Sequence, residues 1–143
     1  MSNETYNYTI FLPQKDYQKV FDIAEKNIPD FEIEINGDNQ NWKNIILTAG
    51  GKKIIKLTSM ERIEPGDKYS GIILGTYTWI KDKTSSNNIL KDKLLKKVAG
   101  AELIIGIVSA TDIFDRICKP LTSQLDACLF DGNDIYDEKG DVL

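Results

Sequence analysis

Residues 101–143 read AELIIGIVSATDIFDRICKPLTSQLDACLFDGNDIYDEKGDVL, and this stretch decides the fold class. Residues 103–108 (LIIGIV) are apolar almost throughout, which predicts a strand buried on both faces, as parallel strands are. Residues 127–130 (ACLF) make a second apolar run. Between the two, Ile113, Phe114, Ile117, Cys118 and Leu121 fall at helical spacing and form one apolar stripe. Strand, amphipathic helix and strand predict a right-handed βαβ crossover joining parallel neighbours. Ser109 and Asp112 stand at capping-box spacing ahead of the helix, with Asp in place of the usual Glu. Pro120 either kinks this helix or ends it near Lys119. Asp131-Gly132-Asn133 then turns the chain, and Ile135-Tyr136 and Val142-Leu143 pair as a terminal hairpin.

Working back from this unit, Ile89, Leu90, Leu94 and Val98 mark a helix over 88–99, stopped by Gly100. Residues 69–81 fit two patterns. Tyr69, Ile72, Ile73, Thr76, Tyr77 and Ile80 share a helical face, whereas 76–80 (TYTWI) has strand composition and Gly71 and Gly75 weaken a helix. The length of the pattern favours helix. Residues 61–68, with Pro65-Gly66, and residues 83–87 are polar connections. Three short β-rich segments (31–35, 42–48 and 53–59) are separated by turns at Asn36-Gly37 and Gly50-Gly51, which predicts an antiparallel meander. Tyr6, Tyr8, Ile10 and Leu12 alternate along a first strand. Tyr17, Val20, Phe21, Ala24 and Ile28 then mark a helix over 14–27, entered at Pro13 and ended by Pro29. Residues 1–5 read as a frayed end. The expected architecture is α/β, with α+β as the alternative, in one domain spanning 1–143. It has a mixed sheet with an N-terminal βα unit, the meander, two helices, the C-terminal parallel βαβ unit and the hairpin.

Composition excludes several functions. The chain has no histidine, so imidazole-based triads and imidazole zinc sites are out, and two cysteines cannot complete a structural zinc site. Cys118 and Cys128 are expected to be free, buried and inert. No apolar run approaches the roughly 20 residues of a membrane span, and the first residues lack a signal-peptide pattern, so a cytoplasmic protein with no membrane role is expected. A net charge of −4 gives no nucleic-acid footprint. The charge is uneven: residues 81–97 carry 6 Lys against 2 Asp, and residues 112–143 carry 3 Lys/Arg against 8 Asp/Glu. Such blocks either steer association or are ordinary solvated faces.

Open α/β sheets bind ligands beyond the carboxyl ends of their strands. Ser109, Thr111 and Asp112 follow one strand of the last unit and Asp131 follows the other. If those strands are neighbours, the two carboxylates and two hydroxyls converge, an oxygen set that suits hydrated Mg²⁺. Each residue also has an ordinary reading, Ser109 and Asp112 as caps and Asp131 as a turn residue. The acidic tail (Asp131, Asp134, Asp137, Glu138, Asp141) fails as a calcium EF-hand loop, because Ile135 and Tyr136 occupy ligand and glycine positions; a solvated edge hairpin is expected instead. Lys91, Lys93, Lys96 and Lys97 lack the interleaved aromatics of a nucleic-acid surface and read as snorkelling side chains. Trp42 and Trp79 are candidates for an interface, or else half-buried core. With no cofactor expected, the leading reading is a non-enzymatic protein-binding or assembly module. Its partner is another protein or a second copy, a bacterial-type immunity-like neutraliser being one version. The alternative is a Mg²⁺-dependent enzyme or small-ligand sensor using Asp112 and Asp131.

Overall fold

The computed structural model describes residues 5–61 and 68–143. Its elements in chain order are β1 (Tyr6–Leu12), α1 (Tyr17–Asn27), β2 (Glu32–Asp38), β3 (Asn41–Ala49), β4 (Lys52–Glu61), α2 (Lys68–Asp82) and α3 (Asn88–Ala99). There follow β5 (Leu103–Ser109), a π-helical turn (Phe114–Cys118), α4 (Lys119–Gln124), β6 (Cys128–Phe130) and β7 (Ile135–Tyr136). The strands form one sheet in the order β2-β3-β4-β5-β1-β6-β7. All but the last residue of the frayed end expected at 1–5, and most of the loop expected at 61–68, fall outside the described residues.

Helices layered on a sheet agree with the broad class, but the expected parallel unit is not formed and the sheet is not mixed. Every pair of neighbouring strands is antiparallel. The N-terminal strand β1 lies between the two strands expected to pair. Tyr6 to Leu12 match Ser109 to Leu103 of β5 on one side, and Thr9 to Phe11 match Phe130 to Cys128 of β6 on the other. β5 and β6 therefore run in the same direction with β1 between them. Residues 103–108 are apolar because β5 is central and helices cover much of both its faces, a condition that parallel pairing shares but does not own.

On one face, Ile10, Leu12, Ile45, Leu57, Ile105 and Ile107 pack against Val20 and Phe21 of α1 and Ile117 and Leu121 of the π-turn and α4. Trp42 is 0% exposed in this layer; its Nε1 donates to the Tyr17 carbonyl at 3.0 Å, and the two rings meet edge to face. On the other face, Phe11, Ile104 and Cys128 pack against Ile80, Leu90, Leu94 and Val98 of α2 and α3. Each such buried side chain contributes roughly 1.5–3 kcal/mol. Cys118 and Cys128 belong to opposite faces, so the sheet itself keeps the two free thiols apart.

The meander forms as expected. Its first turn lies at Asn39-Gln40 rather than at Asn36-Gly37, which form a register irregularity within β2 where a glycine is needed: Gly37 has φ +121°, and a Cβ there would stand 2.5 Å from the Asn41 carbonyl oxygen. The ambiguous 69–81 segment lies within α2. Helix α3 has the expected bounds, and the Asn87 side chain caps it by accepting from Leu90 N at 3.0 Å. Helix α1 starts at Tyr17 rather than 14. The Ser109–Asp112 capping box does not form. Ser109 is buried and closes on Thr111, accepting from its N–H at 3.1 Å and donating to its carbonyl at 2.6 Å, while Asp112, one residue before the N-cap Ile113, accepts from Phe114 N at 3.0 Å in a local turn. The chain passes through Pro120 in a helical path. Pro120 cannot donate and its ring crowds the carbonyl four residues back; the wider π-turn before it, with Cys118 N donating to Ile113 O, relieves that crowding. The terminal hairpin closes through a Tyr136–Val142 bridge and a Leu143 N–Ile135 O bond of 3.1 Å. Among the described residues no helix is long and apolar enough to cross a membrane.

Candidate functional site

Strand β6 is three residues long and covers only Thr9–Phe11 of β1. Tyr6, Asn7 and Tyr8 run on past its end with β5 as their sheet partner on one side. Their other side borders a pocket of about 700 Å³, whose lining includes Tyr8, Asp112, Phe114, Phe130 and Asp131. Asp112 and Asp131 thus share a pocket. They meet across β1, which separates their strands, rather than through strand adjacency.

Tyr8 is 7% exposed and lines this notch, and its hydroxyl hydrogen-bonds to none of the described residues. Burial pushes its phenol well above the ordinary value, and the nearby Cys118, Asp112 and Asp131 push it further. Asp131 is held in place on both oxygens. Its Oδ1 accepts from Asn133 N (2.9 Å) and Asp134 N (2.7 Å), and its Oδ2 accepts from the Tyr136 hydroxyl (3.1 Å). Burial, then Asp131, raises the Tyr136 phenol to about 12. Asp112 spends one oxygen on the Phe114 amide and has the other open. Phe114 stacks tilted against Tyr8 (6.4 Å) and edge-on against Tyr136 (5.3 Å), making an aromatic wall.

Of the four residues singled out beyond the strands, only Asp112 and Asp131 line the notch. Ser109 and Thr111 bond each other. Among the described residues no third His, Cys, Asp or Glu joins the two carboxylates in a metal-sized group. Trp42 is wholly inside the core, so in this fold it offers no surface to a partner. Trp79 is half-buried, 5.0 Å from Phe130 with Lys83 over its other side, and backs the notch wall from α2. The sequence pointed to the two carboxylates but not to Tyr8, Phe114, Phe130 and Tyr136. Each of those carries an ordinary core signal, and the shortness of β6 opens the notch that Tyr8, Phe114 and Phe130 line.

The acidic tail is not a solvated hairpin. Asp137 is 2% exposed; its Oδ1 accepts from Lys139 N and Asp141 N (both 2.9 Å), and its Oδ2 pairs with Lys93 Nζ (2.9 Å). Lys93 also holds Glu138, and Lys97 reaches both Glu138 and Asp126. Burial would raise Glu138, but Lys93, its own backbone N–H and Lys97 outweigh that and hold it at about 2. Asp137 is likewise lowered against its burial, by Lys93 and the two backbone amides. Five of the charges in the basic 81–97 and acidic 112–143 blocks therefore pair with one another inside the chain, tying α3 to the segment that follows β7. Tyr136 of β7 in turn holds Asp131, so this tie supports the notch.

No family model, no curated protein and no solved structure matches this chain.

Proposed function

We propose that this protein is a binding module rather than an enzyme, and that its notch takes a lysine or arginine side chain from a partner protein. The observation that carries this reading is the shared pocket: Asp112 and Asp131 line it together with Tyr8, whose hydroxyl has no hydrogen-bond partner among the described residues. A cationic head set between two carboxylates satisfies all three groups, and its aliphatic stem lies along Phe114 and Phe130. The one-sided edge of Tyr6–Tyr8 suits a short extended segment of partner backbone. Among the described residues no thiol or amine side chain lines the notch, and the Tyr8 and Tyr136 phenols stay protonated far above neutral pH, so neither of these two acts as a base. A neutraliser that covers a basic residue of its target is the concrete version of this role.

The test is a titration of the isotope-labelled protein, followed by amide shifts, with the capped tripeptide Ac-Ala-Lys-Ala-NH₂ and its norleucine counterpart. The lysine peptide is expected to move Tyr6–Thr9, Asp112 and Asp131–Asn133, and the norleucine peptide to leave them in place. Asp112→Asn keeps the capping oxygen and removes one charge. A charge-assisted contact is worth about 1.5–3 kcal/mol, so affinity should fall on the order of 10- to 100-fold. Equal binding of the two peptides, or shifts produced by Mg²⁺ and by neither peptide, would overturn the reading. Butylammonium binding as tightly as the lysine peptide would show that the ligand is a free amine and would favour the sensor role.

A further inference from the structure

Helices α2 and α3 leave part of their face of the sheet open. Across the open part, Glu34 of β2, Ile46 of β3, Lys56 of β4 and Val108 of β5 stand side by side in one row. The next row holds Glu32, Thr48 and Lys53 on β2, β3 and β4. The four charged side chains are exposed, Val108 is 48% exposed, and a shallow pocket of about 230 Å³ lies over Ile46, Lys53, Lys56 and Val108. None of the four charges forms an ion pair with a described residue. In each row an acid and a base therefore flank an uncharged centre.

We propose that this open face packs against the same face of a second copy about a two-fold axis running along β3. Such an axis exchanges left and right across the strands and preserves position along them. It sets Glu34 over the partner's Lys56, Glu32 over the partner's Lys53 and Ile46 over its own counterpart, an isologous contact with four opposite-charge pairs. An axis across the strands would instead stack Glu34 on Glu34. Edge-to-edge pairing is opposed as well. Joining two β2 strands antiparallel about Ile35 places Glu32 opposite Asp38, and like charges across a strand pair are unfavourable. The axis sets β2, β3 and β4 over the partner's β4, β3 and β2 and leaves β5 beyond the partner's edge strand, so three strands about 4.8 Å apart with side chains spanning about 20 Å along them offer roughly 300 Å² per copy, well under half of a standard interface, and the dimer is weak and concentration-dependent. None of the four charged residues lines the notch, and the inference does not rest on the binding role assigned to it.

Sedimentation equilibrium of the full chain from about 10 μM to 1 mM at low salt tests this, since surface pairs are less screened there. Wild type is expected to dimerise within that range. Glu34→Lys and Lys56→Glu should each weaken the dimer at least tenfold, because each sets like charges together twice. The double variant should recover to within threefold of wild type. All four proteins should melt together, since both positions are exposed. A wild type monomeric at 1 mM, a dimer indifferent to the single changes, or a double variant that fails to recover would overturn the proposal.

Discussion

Replacing Asp137 with Ala removes one link of the tie between α3 and the C-terminal hairpin, and the structure sets the size of the effect. The carboxylate accepts three hydrogen bonds of 2.9 Å while only 2% exposed. Bonds to a charged group are worth about 1.5–3 kcal/mol each, and breaking one side of a buried pair costs about 3–5 kcal/mol. Lys93 keeps Glu138, and the freed amides of Lys139 and Asp141 can reach water, so the expected loss is about 2–4 kcal/mol. Strand β7 has two residues, so the hairpin can detach before the sheet unfolds, and local detachment caps the global loss. Urea titration reports the global part, and hydrogen exchange at the Asp131 and Leu143 amides reports the local part. Asp137→Asn keeps an oxygen for the two backbone donors and should lose about 1–2 kcal/mol. Because Tyr136 holds Asp131, lysine-peptide affinity should fall along with hairpin protection. The reasoning fails if Asp137→Ala changes stability by less than about 0.5 kcal/mol, the usual scatter of surface changes, and leaves exchange untouched. Acid provides a second check on the wild type. Asp137 and Glu138 are both lowered by folding, so the unfolded chain binds more protons once pH drops below their ordinary values of 3.8 and 4.5. The stability they contribute is whole above that range and drains away as pH falls toward 2. Hairpin amides that lose protection at neutral pH instead would contradict the assignment.

Two further outcomes follow from the core. Trp42→Phe removes the indole donor from the Tyr17 carbonyl and leaves a void, and should lower stability by about 2–3 kcal/mol at unchanged urea m-value; a loss under 1 kcal/mol would mean that the layer repacks freely. Burial pushes Cys128 up to about 12 and Cys118 in the same direction, so a disulfide-exchange reagent should label the native protein no faster than it unfolds. Rapid labelling of one thiol in the folded state would contradict that burial.

Local patterning along the chain is enough to locate most of the elements. The alternation of Tyr6 to Leu12, the 3.6-residue spacing of Leu90, Leu94 and Val98 and the Gly50-Gly51 turn each report a local period or a local backbone demand, and the chain obeys them. It also singled out Asp112 and Asp131. What tertiary structure alone decided was who stands beside whom. Strands pair through backbone groups that every residue type carries, so the run 103–108 announces burial on both faces without naming its neighbours. The slot beside it went to β1, 91 residues earlier in its deepest pairing of Leu12 with Leu103. That insertion turned an expected parallel unit into an antiparallel sheet, and it placed Tyr8 in the same pocket as the two carboxylates. The tie from Lys93 to Asp137, 44 residues apart, was equally hidden, because a charge in a sequence shows its sign but not its distance from the charge it will meet.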